Sequence, residues 1–200
     1  MPLQVTDCSI TEEEYLKGEL ESEVKHEYVD GYVYAMTGGT DKHATISGNI
    51  FAEMRRFLKG KKCQAFTAEM KLKTSETRFR YPDMMVICDE TSQSNLYKEC
   101  PVIIVEVVSG SSRRIDTITK KHEYLNISTL KEYVLIEQDF VDVEVFRKNN
   151  GWQSDHYFLG DAILFESIGL TLTVEEIYDR VDNEDMQEYL RKNGRGEQEA

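Results

Sequence analysis

No stretch of this chain approaches the roughly 20 consecutive apolar residues that cross a bilayer, so no membrane-spanning helix is expected. The opening residues, MPLQVTDCSITEEEYL, lack both a basic and an apolar segment and do not read as a secretory signal. Cysteine is scarce and scattered. Cys8, Cys63, Cys88 and Cys100 contain no CxxC pair, which removes the usual zinc spacing and argues against a disulfide framework in a chain of 200 residues. All four are expected to be buried or idle thiols in a reducing cytoplasm. Basic charge is short as well: 24 Lys and Arg face 37 Asp and Glu, a formal charge of -13. That sign disfavours generic nucleic-acid binding and docking on anionic membranes. Apolar material is not short. At 40% hydrophobic and 10% aromatic residues the chain can bury a core, and its length suits one domain, expected over residues 1–192 with a frayed tail at 193–200.

The order of patterned segments points to an α/β (α+β) fold, a mixed central sheet flanked by helices with an N-terminal helix and hairpin. Thr11 and Glu14 have capping-box spacing and open a short helix. Asp30-Gly31 lies between tyrosine- and valine-rich runs, a hairpin signal. Ile46, Ile50, Met54, Phe57 and Leu58 fall at helical spacing between Asp41 and Lys59. CQAFTAEMKLK reads as one strand, Met84 to Cys88 as a short apolar strand, and Val102 to Val108 as a second. A helical pattern returns from Asp116 to Leu125. Strands EYVLIE, VDVEVFRK and WQSDHYFL follow, with a further short strand at Ile168 to Leu172. Thr173 and Glu176 repeat the capping box and start a last helix.

Three groups of residues could carry chemistry. Glu106 interrupts the apolar run PVIIVEVVS, where a carboxylate needs a cation or hydrogen-bond partners to offset desolvation. Asp83 follows Pro82 at the mouth of the strand MMVIC, and two carboxylates converging at a sheet edge suit a hard cation such as Mg²⁺. Asp116, Lys120 and Tyr124 are spaced by four and share one helix face, with the lysine directed at the same acids. The four histidines have no metal-ligand spacing, and His43 reads as a helix-start residue that packs or caps. Gly38-Gly39 with Lys42 lacks the phosphate-loop spacing, so no nucleotide cofactor is expected. The serine turn Ser109 to Ser112 could present backbone N–H groups to a phosphate.

RYPD, then PVIIVEVVSGSSRRIDTITKKHEY, then STLKEYVLIE, together resemble the restriction-endonuclease-like family of the PD-(D/E)XK nuclease superfamily. The upstream segment HEYVDGYVYAMTGGTDKHATISGNI is similar to that family's N-terminal stretch. The resemblance implies a restriction-endonuclease-like core and a Mg²⁺-dependent endonuclease hydrolysing DNA, with Mn²⁺ as a substitute. It makes Asp83 and Glu106 metal ligands, joined by the backbone carbonyl of Val107. The superfamily pattern has lysine two residues after the second acid, where this chain has Val108. The resemblance moves that role to Lys120 in the following helix rather than Lys121, which points about 100° away. Glu27 would support the site, as would Asp116 and Tyr124. Arg78, Arg80, Arg113 and Arg114 would contact nucleic acid, and a homodimer would let both strands be cut. The alternative function is a catalytically inactive nuclease-fold module that binds nucleic acid or a protein partner.

Charge by segment narrows the opening objection. Residues 50–125 hold 14 basic against 10 acidic residues, and the acidic excess comes from the two ends. A DNA contact is therefore expected on one basic face around the site.

Overall fold

The structure is a computed structural model that describes residues 9–89, 94–110 and 113–194. Cys8, the second half of the serine turn and most of the expected frayed tail lie outside the described residues.

Helix α1 (Glu12–Glu21) opens on the expected capping box, with the Glu14 N–H donating to the Thr11 hydroxyl at 3.2 Å. Strands β1 (His26–Val29) and β2 (Tyr32–Ala35) form the hairpin. Asp30 at φ 51° and Gly31 at φ 94° give it the left-handed turn that matches strand twist. Helix α2 (Asp41–Leu58) buries Ile46, Ile50, Met54 and Leu58 on one face. The segment read as one strand is two, β3 (Gln64–Thr67) and β4 (Lys71–Ser75), which enter different sheets. A turn closed by the Met70 N–H on the Thr67 carbonyl at 3.0 Å separates them, and it contains no Gly or Pro to betray it in the sequence. Strands β5 (Arg78–Arg80), β6 (Met84–Ile87), β7 (Tyr97–Lys98) and β8 (Pro101–Val108) follow.

The next helix begins as a π-helical segment at Ile115–Lys120 and tightens into α3 (Lys121–Leu125). Strands β9 (Glu132–Glu137), β10 (Val143–Arg147) and β11 (Ser154–Tyr157) come next, then a hairpin of β12 (Ala162–Phe165) and β13 (Leu170–Thr173). The last helix differs from expectation. Helix α4 (Val174–Ile177) stops after one turn, Arg180 turns left-handed at φ 60°, and Asn183 caps a separate helix α5 (Glu184–Lys192). Tyr178 lies at the break, where its buried hydroxyl donates to the Glu137 carbonyl at 2.6 Å.

The central sheet has six strands in the order β11-β10-β9-β8-β6-β3, with β8 and β9 parallel and the other pairs antiparallel. A five-stranded sheet, β2-β1-β5-β4-β7, stands beside it. β8 is buried along its whole length. Ile103, Val105 and Val107 pack with Ile46, Ile50 and Met54 of α2, while Ile104 and Val108 pack with Tyr124 and Tyr133 on the other face. Alternation along the strand therefore turns Glu106 toward α3. Among the described residues no helix is long and apolar enough to cross a membrane.

The cysteine expectation needs correction. Cys63 and Cys88 flank the paired β3–β6 ladder and are joined as a disulfide. Pairing across strands depends on register, which spacing in the chain does not reveal. With a sequence separation of 25 between the two cysteines, the double variant Cys63→Ser/Cys88→Ser is expected to lose about 3 kcal/mol of stability. Urea unfolding without reductant measures this; an unchanged midpoint would contradict the crosslink.

Candidate active site

Asp83 immediately precedes β6, and the β6–β8 register sets it opposite Glu106. The Val107 N–H donates to Asp83 Oδ2 at 2.7 Å, and the Asp83 N–H approaches Glu106 Oε2 at 3.4 Å. The two acids are thus locked to each other's backbone. From the other side, Lys120 Nζ lies 3.2 Å from Glu106 Oε1, and the Tyr124 hydroxyl donates to the same oxygen at 2.9 Å. Lys120 Nζ is also 3.2 Å from Asp116 Oδ1 and 3.3 Å from Glu27 Oε1. One ammonium is held among three carboxylates. Lys121 Nζ lies over the Phe146 ring at 3.5 Å, so neighbouring lysines serve different faces.

The π-helical turn makes this geometry. The Lys121 N–H bonds to the carbonyl of Asp116, five residues back, which widens the helix where Asp116 and Lys120 enter the protein. Glu27 arrives from β1 and is anchored from behind. Arg80 Nη1 donates to Glu27 Oε2 at 2.7 Å, and the same guanidinium grips Glu123, with Nη2 at 2.8 Å. The resulting chain Lys120–Glu27–Arg80–Glu123 ties the five-stranded sheet to the helix that carries the lysine.

Glu27, Arg80, Asp83, Glu106, Asp116 and Lys120 line a cavity of about 540 Å³ together with His43, Tyr34, Val107 and the segment Met36 to Thr40. His43 is a site neighbour that the spacing argument assigned to packing. Thr40 caps α2 by accepting from the His43 N–H at 3.2 Å, and this capped start turns the ring toward Asp83, with Nε2 3.1 Å from Oδ2. Gly38-Gly39 before the cap was the available signal. A Cβ at Gly39 would stand 2.9 Å from His43 Nδ1, so the glycine makes room for the ring.

Burial and charge set the titration of the site. Burial pushes the Glu106 carboxyl up to about 8; Lys120 opposes this, and Asp83, Asp116 and Glu27 reinforce it. Burial also raises Glu27, but Lys120 and Arg80 overcome it and hold that carboxyl below its ordinary range. Burial lowers the Lys120 ammonium, yet Glu106 and Glu27 hold it well above the usual lysine value. The hydrogen bond to Asp83 raises His43 against the effect of burial.

The remaining sequence candidates are less concentrated. Arg80 is 5% exposed and committed to Glu27 and Glu123. Arg78 pairs with Asp30 and lies 3.4 Å from Glu123. Arg113 Nη2 donates to Glu137 at 2.6 Å, and Arg114 is exposed. The expectation of one basic face is not met. Arg55 and Arg56 sit in the last turn of α2, about 18 Å along the helix from His43. Lys73 pairs with Glu12, and Lys71 is largely buried against the Tyr81 ring. Sheet pairing and helix length spread a block that is contiguous in sequence.

A mixed sheet flanked by helices, with two acids at adjacent strands and a helix-borne lysine between them, defines a restriction-endonuclease-like fold. Residues 12–175 match the Uma2 family model, described as "Putative restriction endonuclease", and the chain belongs to that family. Two uncharacterized proteins of Synechocystis sp. (strain ATCC 27184 / PCC 6803 / Kazusa) are similar to it. The protein slr1290 is 32% identical over 84% of this chain and 91% of its own length; sll1609 is 30% identical over 74% and 86%. The fold is also that of a crystal structure from Anabaena variabilis ATCC 29413, described as a "putative nuclease belonging to DUF820". The two share a TM-score of 0.67 at 18% identity, over 82% of this chain and 96% of that one.

The raised Glu106 carboxyl has a stability consequence. Its folded value lies above the unfolded one, so its contribution is complete below about pH 4.5 and is lost as pH rises through about 8. In EDTA the metal-free protein is expected to melt at a lower temperature at pH 9 than at pH 6, and Glu106→Gln should flatten the difference. Identical slopes for the two proteins would rule out Glu106 as its source.

Proposed function

We propose that this chain is a Mg²⁺-dependent endonuclease that hydrolyses phosphodiester bonds of DNA. The observation that carries the reading is the convergence of Asp83, Glu106 and Lys120, from three separate elements, in one cavity. Membership in a family described as "Putative restriction endonuclease" supports it.

The donor set fits a hard cation. Asp83 and Glu106 face each other across adjacent strands, and four acids share the cavity with Lys120 and Arg80. Among the described residues no cluster of three or more His, Cys, Asp or Glu forms a ready-made metal cage. Mg²⁺ does not need one, because it usually takes one or two carboxylates and leaves the rest to water and substrate phosphate. Asp83, Glu106 and the Val107 carbonyl would hold the ion, with Mn²⁺ able to replace it. When bound, it supplies Lewis acidity and a water of lowered pKa.

The chain's own groups do the rest. Lys120 neutralises charge that builds on the phosphate oxygens as water forms the new P–O bond and the ester bond breaks. Glu27 and Asp116 hold that ammonium in place, and Tyr124 fixes the Glu106 carboxylate from which it is suspended. Arg113 and Arg114 immediately precede the π-helical segment and would meet flanking phosphates, as would Arg78. A homodimer in the cytoplasm would allow both strands of a duplex to be cut.

Plasmid and oligonucleotide cleavage in Mg²⁺ or Mn²⁺ tests this. Wild type is expected to cut, with Glu106→Ala and Lys120→Ala each slower by about 10²–10³-fold. Equal residual cleavage by all three would place the activity elsewhere. No cleavage by wild type would favour the inactive binding module.

A further inference from the structure

The hairpin side of the cavity, Glu27 apart, has no place in phosphodiester chemistry. It is lined by Tyr34, Val29 and Met36. Glu27 and Tyr34 are direct cross-strand partners, so the tyrosine stands on the hairpin face that carries the acid. Its ring is half-buried and, among the described residues, makes no hydrogen bond or ring contact. Tyr32, two residues earlier on the same strand face, is 40% exposed. Strand β2 is the edge of its sheet, so the two tyrosines form a short aromatic row leading from the cavity to solvent.

Three further observations say what this row receives. Glu106 is 3% and Lys120 9% exposed, so the reacting groups are recessed behind the cavity mouth. The cavity, about 540 Å³, has the size of a small-molecule site rather than a groove laid along a duplex. Among the described residues the cations are dispersed rather than gathered into one face that would grip a duplex backbone: Arg80 and Lys73 are committed to ion pairs, and Arg55 and Arg56 lie at the far end of α2. Aromatic stacking adds base contacts to whatever phosphate contacts a site makes, and it requires bases freed from a double helix.

We propose that the cavity takes one unpaired nucleotide beside the scissile phosphate, with its base stacked on Tyr34 and the next base on Tyr32, so that the substrate is single-stranded DNA or a single-stranded tail. The inference rests on the nuclease reading above. Tyr34 acts as a positioning residue through the face of its ring, not through its hydroxyl.

The test compares a labelled single strand, the same strand annealed to its complement, and a duplex with a single-stranded tail. In parallel, 2-aminopurine fluorescence reports base stacking on binding in EDTA. The single strand and the tail are expected to be cut at least about ten-fold faster than the duplex. Tyr34→Ala should raise KM for the single strand about ten-fold with kcat changed less than about two-fold, and Tyr34→Phe should restore it. Tyr34→Ala should also abolish the 2-aminopurine signal. Duplex cut as fast as single strand overturns the inference and leaves the nuclease reading intact. A single-strand signal that depends on Tyr34, with no cleavage of any substrate, supports the base pocket and overturns the nuclease reading. Neither cleavage nor a signal overturns both.

Discussion

The structure depends on one costly placement: a glutamate in the middle of a strand that is buried on both faces. Glu106 has Ile104 and Val108 as its neighbours on one side of β8, and the layer it enters is otherwise aromatic and aliphatic. An unpaired carboxylate there would give up several kcal/mol of hydration. Lys120 and Tyr124 answer it directly, but Lys120 is itself buried and needs more than one counter-charge. Asp116 and Glu27 supply it, Arg80 then balances Glu27, and Glu123 balances Arg80. Each link in this relay exists because the one before it would otherwise be a buried charge without a partner. The relay also reaches from the six-stranded sheet through the π-helical segment into the five-stranded sheet, so it ties those layers together at the site.

The same constraint explains the local irregularities. A regular α-helix after the serine turn would carry Asp116 and Lys120 at ordinary pitch; the π-helical turn widens the helix where both side chains must enter the protein. The hairpin β1–β2 turns its tyrosine Tyr28 toward α1 and Phe79, and by alternation its acid Glu27 toward the lysine. Gly39 leaves space for His43, which completes the hydrogen bonding of Asp83. The cavity is nonetheless short of positive charge: four acids line it against Lys120 and Arg80, a deficit that suits the cation proposed for it.

Much of this was legible in the chain. Glu106 stood out because a lone acid in PVIIVEVVS has to be explained, and the spacing of Asp116, Lys120 and Tyr124 survived the change from α to π geometry. Capping boxes at Thr11 and Thr173 and the Asp30-Gly31 turn were found because their physics is local. What could not be read was set by contacts distant in sequence. His43 becomes a site residue only when α2 is docked against β6. Arg80 is drawn inward by Glu123, 43 residues away. The Cys63–Cys88 bond follows from strand register, and the separation of β3 from β4 from a turn without glycine or proline. The basic block of residues 50–125 is real as composition, but the sheets and the length of α2 disperse it.

The central claim is that Asp83 and Glu106 form a cation site whose charge deficit Lys120 only partly fills. Titration of Mn²⁺ into the protein, followed by electron paramagnetic resonance, tests it without reference to any substrate. One ion per chain should bind to wild type, binding should be lost in Asp83→Asn and in Glu106→Gln, and it should persist in Glu175→Gln, which alters an acid away from the cavity. Ion binding that is unchanged in all three variants, or absent from wild type, would contradict the account.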